Sequence, residues 1–189
     1  DGENIFYDPT QARGISARQR HAVAGLQRYL PEFLVMLAPT VNSYTRLVKG
    51  AWAPTAATWG VENRTAGIRV IPGDQNSQRI EVRVGGADAN PYLVEAAALA
   101  AMEIGLAEGL EPNEPVAGNA YEAEEHLSVD YHFAQDLGRA AHRFADSQAA
   151  NRQFGEAFVS HFAMSRHWEA REYHRHVNSW QLERYFEIV

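Results

Sequence analysis

Apolar side chains recur at near-helical spacing early in the chain, at Val23, Leu26 and Leu30 and then at Phe33, Leu34 and Leu37. Side chains three and four positions apart share one side of a helix, so the pattern predicts helix up to residue 37. Ser16 followed by Gln19 is a capping-box pattern and marks its start. Pro31 cannot donate a backbone hydrogen bond, and predicts a break into two helices. From residue 38 to 89 turn residues and β-formers take over. Segments 55–60, 66–71 and 79–84 read as short antiparallel strands, with Gly73-Asp74-Gln75-Asn76-Ser77 turning the chain between the last two. Residues 90–109 form the clearest helix, with Asn90 as N-cap, Pro91 as first residue and Gly109 as stop. Alanines at 96, 97, 98, 100 and 101 let it pack closely against a neighbour. After an irregular loop over 110–127, the rest reads as helix. One long helix is expected over 151–174, and a short last one carries Trp180, Leu182 and Tyr185. The predicted class is α+β, a small antiparallel sheet packed with helices.

Composition narrows the function. At 189 residues and 46% hydrophobic, the chain suits one globular domain or a large piece of one. No run approaches the ~20 apolar residues of a membrane span. The opening Asp1-Gly2-Glu3-Asn4 is acidic and polar, which is not expected of a signal peptide, and the absence of Met there suggests a processing site or a cut. There are no cysteines, which excludes disulfides and thiolate metal sites and fits a cytoplasmic protein. A net charge of −7 argues against general nucleic-acid binding. The basic residues are nearly all arginine, sixteen against the single Lys49. Arginine grips carboxylates and phosphates with a planar fork, so its placement matters.

Along Arg79-Ile80-Glu81-Val82-Arg83-Val84, side chains alternate faces. Ile80, Val82 and Val84 should enter the core, leaving Arg79, Glu81 and Arg83 together on the other face. A solvated sheet face with paired charges is the simple reading of this segment alone. Upstream, Asn63-Arg64-Thr65-Ala66-Gly67-Ile68-Arg69 adds two arginines, and Ser43-Tyr44-Thr45-Arg46 a third. Arg64 and Arg69 have opposite parity, so Arg64 belongs in the loop before the strand or on a bulge. Arginines gathered around one glutamate make chemical sense where polyanions bind.

These stretches resemble signatures of the glutamine synthetase superfamily, in order and spacing. The matching segments begin at Pro39-Thr40-Val41-Asn42-Ser43-Tyr44 and continue through Asn63-Arg64-Thr65-Ala66-Gly67, Arg79-Ile80-Glu81-Val82-Arg83 and Ala87-Asp88-Ala89-Asn90-Pro91-Tyr92, with Trp180-Gln181-Leu182-Glu183-Arg184-Tyr185 at the end. The resemblance implies an ATP-dependent ligase. The γ-carboxylate of glutamate attacks the γ-phosphate of ATP, and ammonia or an amine then attacks γ-glutamyl phosphate. It implies Mg²⁺ or Mn²⁺, with Glu81 as ligand of the metal nearest the phosphates. Arg46 and Arg83 are expected to bind glutamate's carboxylates, Arg64 to stabilise the transferring phosphoryl group, and Arg69 and Arg79 to contact ATP.

Two departures matter. The family's N-terminal β-grasp domain and the first part of its catalytic domain, with the other metal ligands, are absent from these 189 residues. Glu81 alone is a poor divalent site, so the fragment by itself is expected to be inactive. The ring of subunits that builds the family's sites is expected of the intact homo-oligomer. The second departure lies in Gly50-Ala51-Trp52-Ala53-Pro54, where Trp52 occupies the flap position at which ammonia-using members carry glutamate. Trp cannot take a proton but can wall an apolar site or stack on a cation, which points to an organic amine acceptor. Ammonia as acceptor, with Trp52 a packed loop aromatic, and a non-catalytic relative that keeps only the fold are the alternatives. His167, Glu169, Glu172, His174 and His176 have no recognised metal spacing and read as a solvated helix face. Glu122, Glu124, Glu125 and His126 read as a wet loop. Tyr131, Phe133, Phe144, Phe154 and Phe158 read as core.

Overall fold

The computed structural model describes residues 2–188. Its first long element is α1, Ala17–Leu37. The Ser16 hydroxyl accepts from the Gln19 amide at 3.0 Å, so the N-terminus is capped as expected. The reciprocal half of the capping box is not made. Gln19 is fully buried and instead donates to the Arg79 carbonyl at 3.2 Å and accepts from the Gln78 side chain at 2.5 Å. Gln19 thereby ties the helix to the strand that carries Glu81.

Pro31 does not break α1, contrary to the sequence expectation. An interior proline costs about 3 kcal/mol. Leu30, Phe33 and Leu34 around it are all completely buried, each contributing about 1.5–3 kcal/mol. One continuous apolar stripe therefore outweighs one missing hydrogen bond.

A short α2, Ser43–Arg46, follows. The sheet has three strands in the order β1 (Trp59–Val61), β2 (Ile68–Ile71) and β3 (Arg79–Val82). β2 and β3 are antiparallel as expected, but β1 and β2 are parallel, so the sheet is mixed. Residues 62–67 leave β1 and return in the same direction. The segment expected to begin β1 is split off. The Thr55 carbonyl accepts from the Phe133 amide at 3.0 Å and the Ala57 amide donates to Tyr131 at 2.8 Å, forming a bridge between Ala56 and His132.

α3, Pro91–Glu108, is capped by Asn90, whose side chain accepts from Tyr92 at 3.0 Å, and stops at Gly109 with φ 60°. It crosses α1 at very short range. A Cβ on Gly25 would meet the Ala101 carbonyl at 2.0 Å, and one on Gly105 would meet the His21 carbonyl at 2.1 Å. The small residues that the alanine run promised thus meet glycine on both helices. α4 (Ala120–Ala123) is a single turn, followed by α5 (Leu137–Ala145) and α6 (Gln148–Phe154). The long helix expected over 151–174 is divided at Gly155, whose φ of 82° is closed to most side chains, and α7 starts afresh as Glu156–Arg175. α8, Ser179–Tyr185, has a complete capping box from Asn178 and Gln181.

α1 is the central element and packs against α3, α5 and α6. Phe144 is fully buried and packs edge-on against Phe158 and Phe162, while Phe33 meets Phe154 edge-on. The α+β class stands, with helices around one small sheet.

Candidate active site

Val84, Ile68 and Val70 are fully buried, and Ile80 and Val82 pack on the same core. The alternate positions Arg69, Glu81 and Arg83 consequently share the open face. Arg69 and Glu81 stand directly opposite each other in the antiparallel ladder. Arg69 Nη1 lies 3.3 Å from Glu81 Oε2, and Arg83 Nε lies 3.9 Å from the same oxygen. Arg69 also pairs with Glu62, a residue that the sequence reading missed. Glu62 sits in the chain's turn away from β1, with φ 54°, where strand parity predicts nothing. That carboxylate, ahead of Glu81, holds the Arg69 proton more firmly than usual. Arg69 Nε is buried without a partner among the described residues.

Arg83 donates to the Ala66 carbonyl at 3.0 Å and the Trp52 carbonyl at 3.4 Å. Arg46, at the end of α2, donates to the Val84 carbonyl at 2.5 Å. It therefore reaches the end of the same strand, one residue beyond Arg83. Three separate stretches meet here: α2 supplies Arg46, β2 supplies Arg69, and the β3 line supplies Glu81 and Arg83. Two expected members stand apart. Arg79 is exposed at the opposite end of β3 and donates to the Ser77 carbonyl at 2.9 Å. Arg64 is exposed in the 62–67 loop, as parity required, and makes no hydrogen bond or ion pair among the described residues.

The Arg46 side of the site is fixed by Asp88. Its carboxylate accepts from Thr40 at 2.6 Å and from Ser43 at 3.4 Å. These bonds, the Thr40 hydroxyl first, hold the Asp88 carboxyl below the usual range, with a smaller contribution from Arg46. A lowered folded-state value means that the ionised form stabilises the fold. The contribution is present above the ordinary carboxylate value of about 3.9 and fades as pH falls below it. Asp88→Asn is expected to shift acid unfolding to higher pH, as followed by circular dichroism. An unchanged acid midpoint would remove Asp88 from this role.

Trp52 stands at the edge of the site, 69% exposed and with φ 56°. The acidic run at 122–126 is not uniformly wet. Glu122, Glu125 and His126 are exposed, but Glu124 is 2% exposed and accepts from the Thr55 hydroxyl at 2.6 Å. Strict polar composition hid this, because burial of one glutamate depends on a partner 69 residues away. On α7, Glu169 pairs with Arg166 and Glu172 with Arg175.

The arrangement offers cationic forks for anions and one carboxylate already held by two of them. No group of three His, Cys, Asp or Glu side chains with metal-binding geometry occurs among the described residues. Glu81 by itself cannot supply the near-octahedral oxygen set of Mg²⁺, so these residues do not make a divalent site unaided. No helix among the described residues is long and apolar enough to cross a membrane.

The chain belongs to the family described as glutamine synthetase, catalytic domain, whose model matches residues 1–185. Type-1 glutamine synthetase 2 of Dictyostelium discoideum is 41% identical over 189 residues, which cover 100% of this chain and 36% of that protein. Glutamate–isopropylamine ligase of a Pseudomonas species is 35% identical over 188 residues, covering 100% of this chain and 40% of that protein. The solved ADP complex of GmaS superposes with a TM-score of 0.83 at 28% identity, covering 97% of this chain and 43% of that one. The chain therefore spans well under half the length of these relatives.

Proposed function

We propose that this chain is the C-terminal part of the catalytic domain of a cytoplasmic, ATP-dependent ligase that joins the γ-carboxyl of glutamate to an organic amine. The observation that carries the proposal is the convergence of Arg69 and Arg83 on Glu81, with Arg46 at the end of the same strand. Two anions must approach each other when a carboxylate attacks ATP. Fixed guanidinium groups lower that cost because they are already oriented before the charge moves. In this reading Arg46 and Arg83 bind glutamate's carboxylates, while Arg69 and Arg79 contact ATP. Arg64, free on its loop, reaches the transferring phosphoryl group. Glu81 is the one metal ligand of this chain. The remaining Mg²⁺ or Mn²⁺ ligands come from segments outside these 189 residues or from neighbouring subunits of a homo-oligomeric ring, so the chain alone is inactive.

Trp52 supports the amine over ammonia. Its backbone carbonyl accepts from Arg83, and its exposed indole offers a wall for an alkyl group. The likeness to a glutamate–isopropylamine ligase agrees with this. The likeness to a type-1 glutamine synthetase favours ammonia instead. The intact protein should be assayed for glutamate- and ATP-dependent phosphate release with ammonium, methylamine, putrescine and ethanolamine. An organic amine is expected to give the highest kcat/KM. Ammonium as the sole good acceptor would defeat the Trp52 argument, and no release with any acceptor would favour a non-catalytic relative.

A further inference from the structure

The segment that carries Trp52 is fastened almost residue by residue. Trp52 gives its carbonyl to Arg83 at 3.4 Å. Ala53 gives its carbonyl to the Tyr121 hydroxyl at 2.8 Å. Thr55 gives its hydroxyl to Glu124 at 2.6 Å. The first fastener belongs to the arginine face. The other two come from α4 and the turn that follows it, spaced so that both project to one side. Tyr121 lies between the two charges. Burial raises its hydroxyl pKa, Glu124 raises it further, and Arg83 opposes them. The hydroxyl therefore stays a donor across the neutral range.

Glu124 is unusual in this setting. One oxygen holds Thr55, while the other is buried without a partner among the described residues. A sealed carboxylate with an unpaired oxygen costs stability, and a fold keeps such a group where it fixes geometry elsewhere. The group it fixes here is the strand-like start of the 55–57 segment, immediately after the flap.

We propose that Tyr121 and Glu124 are positioning residues that hold the Trp52 segment in place beside the arginine face, and so determine how the nitrogen nucleophile is received. The proposal rests on the ligase reading above. Among the described residues neither side chain hydrogen-bonds to an arginine of that face, so their loss should alter acceptor use and spare glutamate and ATP. The test is steady-state kinetics of the intact protein with whichever nucleophile turns over, ammonium included. Tyr121→Phe and Thr55→Val are each expected to raise the nucleophile's KM about five-fold or more, the scale of one lost hydrogen bond, with the KM of glutamate and of ATP unchanged. Thr55→Ser keeps the hydroxyl that Glu124 accepts from and should restore the wild-type value. Thr55 also supplies a route should the tyrosine variant fail to fold. Equal rises in all three KM values, no change in any, or no rescue by serine would overturn the proposal. An ammonium-only acceptor profile defeats the organic-amine reading and leaves this test intact.

Discussion

Gly105→Val is expected to cost about 3 kcal/mol or more of stability, or to prevent folding. The reason is backbone, not side chain. The added Cβ would lie 2.1 Å from the His21 carbonyl and 2.7 Å from the Gly25 nitrogen, and neither atom can rotate away. Overpacking a tight core costs about 1–3 kcal/mol when side chains can yield, and more when a whole helix must shift. α1 cannot shift cheaply, because Leu26, Leu30, Phe33 and Leu34 are all fully buried on it. Gly109→Ala is the internal control. Its Cβ meets nothing within 4 Å, and the residue suffers only the strain of φ 60°, about 1 kcal/mol. Urea unfolding followed by circular dichroism compares the two. A Gly105→Val loss no larger than that of Gly109→Ala would show that the helices separate easily.

Arg64→Ala and Arg83→Ala should separate turnover from glutamate binding in the intact protein. Arg64 is exposed and unbonded, so its removal should leave stability within about 0.5 kcal/mol. A guanidinium that meets charge only as it develops contributes to kcat, and its loss should cost about a hundred-fold or more. Arg83 is different. It already holds Glu81 and the carbonyls of Ala66 and Trp52, so alanine there should raise the KM of glutamate and also lower stability by about 1–2 kcal/mol. Phosphate-release kinetics and thermal melts on both variants check this. If neither substitution changes kinetics, the assigned roles are wrong.

Much of this was legible in the chain, for local reasons. The caps at Ser16 and Asn90 act within three residues, and the structure makes both bonds. The alternation over β3 needs only strand geometry, and it put Glu81 and Arg83 on one face. Expectations failed where distant packing decided. Pro31 stays helical because of the core around it, and the strand expected from residue 55 is divided by partners near 132. Gly155 was a local signal passed over, since a glycine inside an apolar repeat divides α6 from α7. Within the site, Glu62 escaped notice and Glu124 read as a wet loop residue, because each gains its meaning from a partner off its own periodic element. The gathering of Arg46, Arg69 and Arg83 was expected. The distance of Arg79 and Arg64 from it was not.

Parallel strands are ordinarily joined by a dozen residues or more, yet here residues 62–67 suffice between β1 and β2. Both ends of that excursion are clamped, by the Glu62 amide to Val70 at one end and the Ile68 amide to Thr58 at the other, while Asn63 ties its crest to the Val116 and Gly118 carbonyls. Its length is thereby fixed as firmly as the teeth of a gear. Deleting or inserting a single residue would slip β2 by one position and turn Arg69 inward, so this short span should tolerate changes of side chain far better than changes of count.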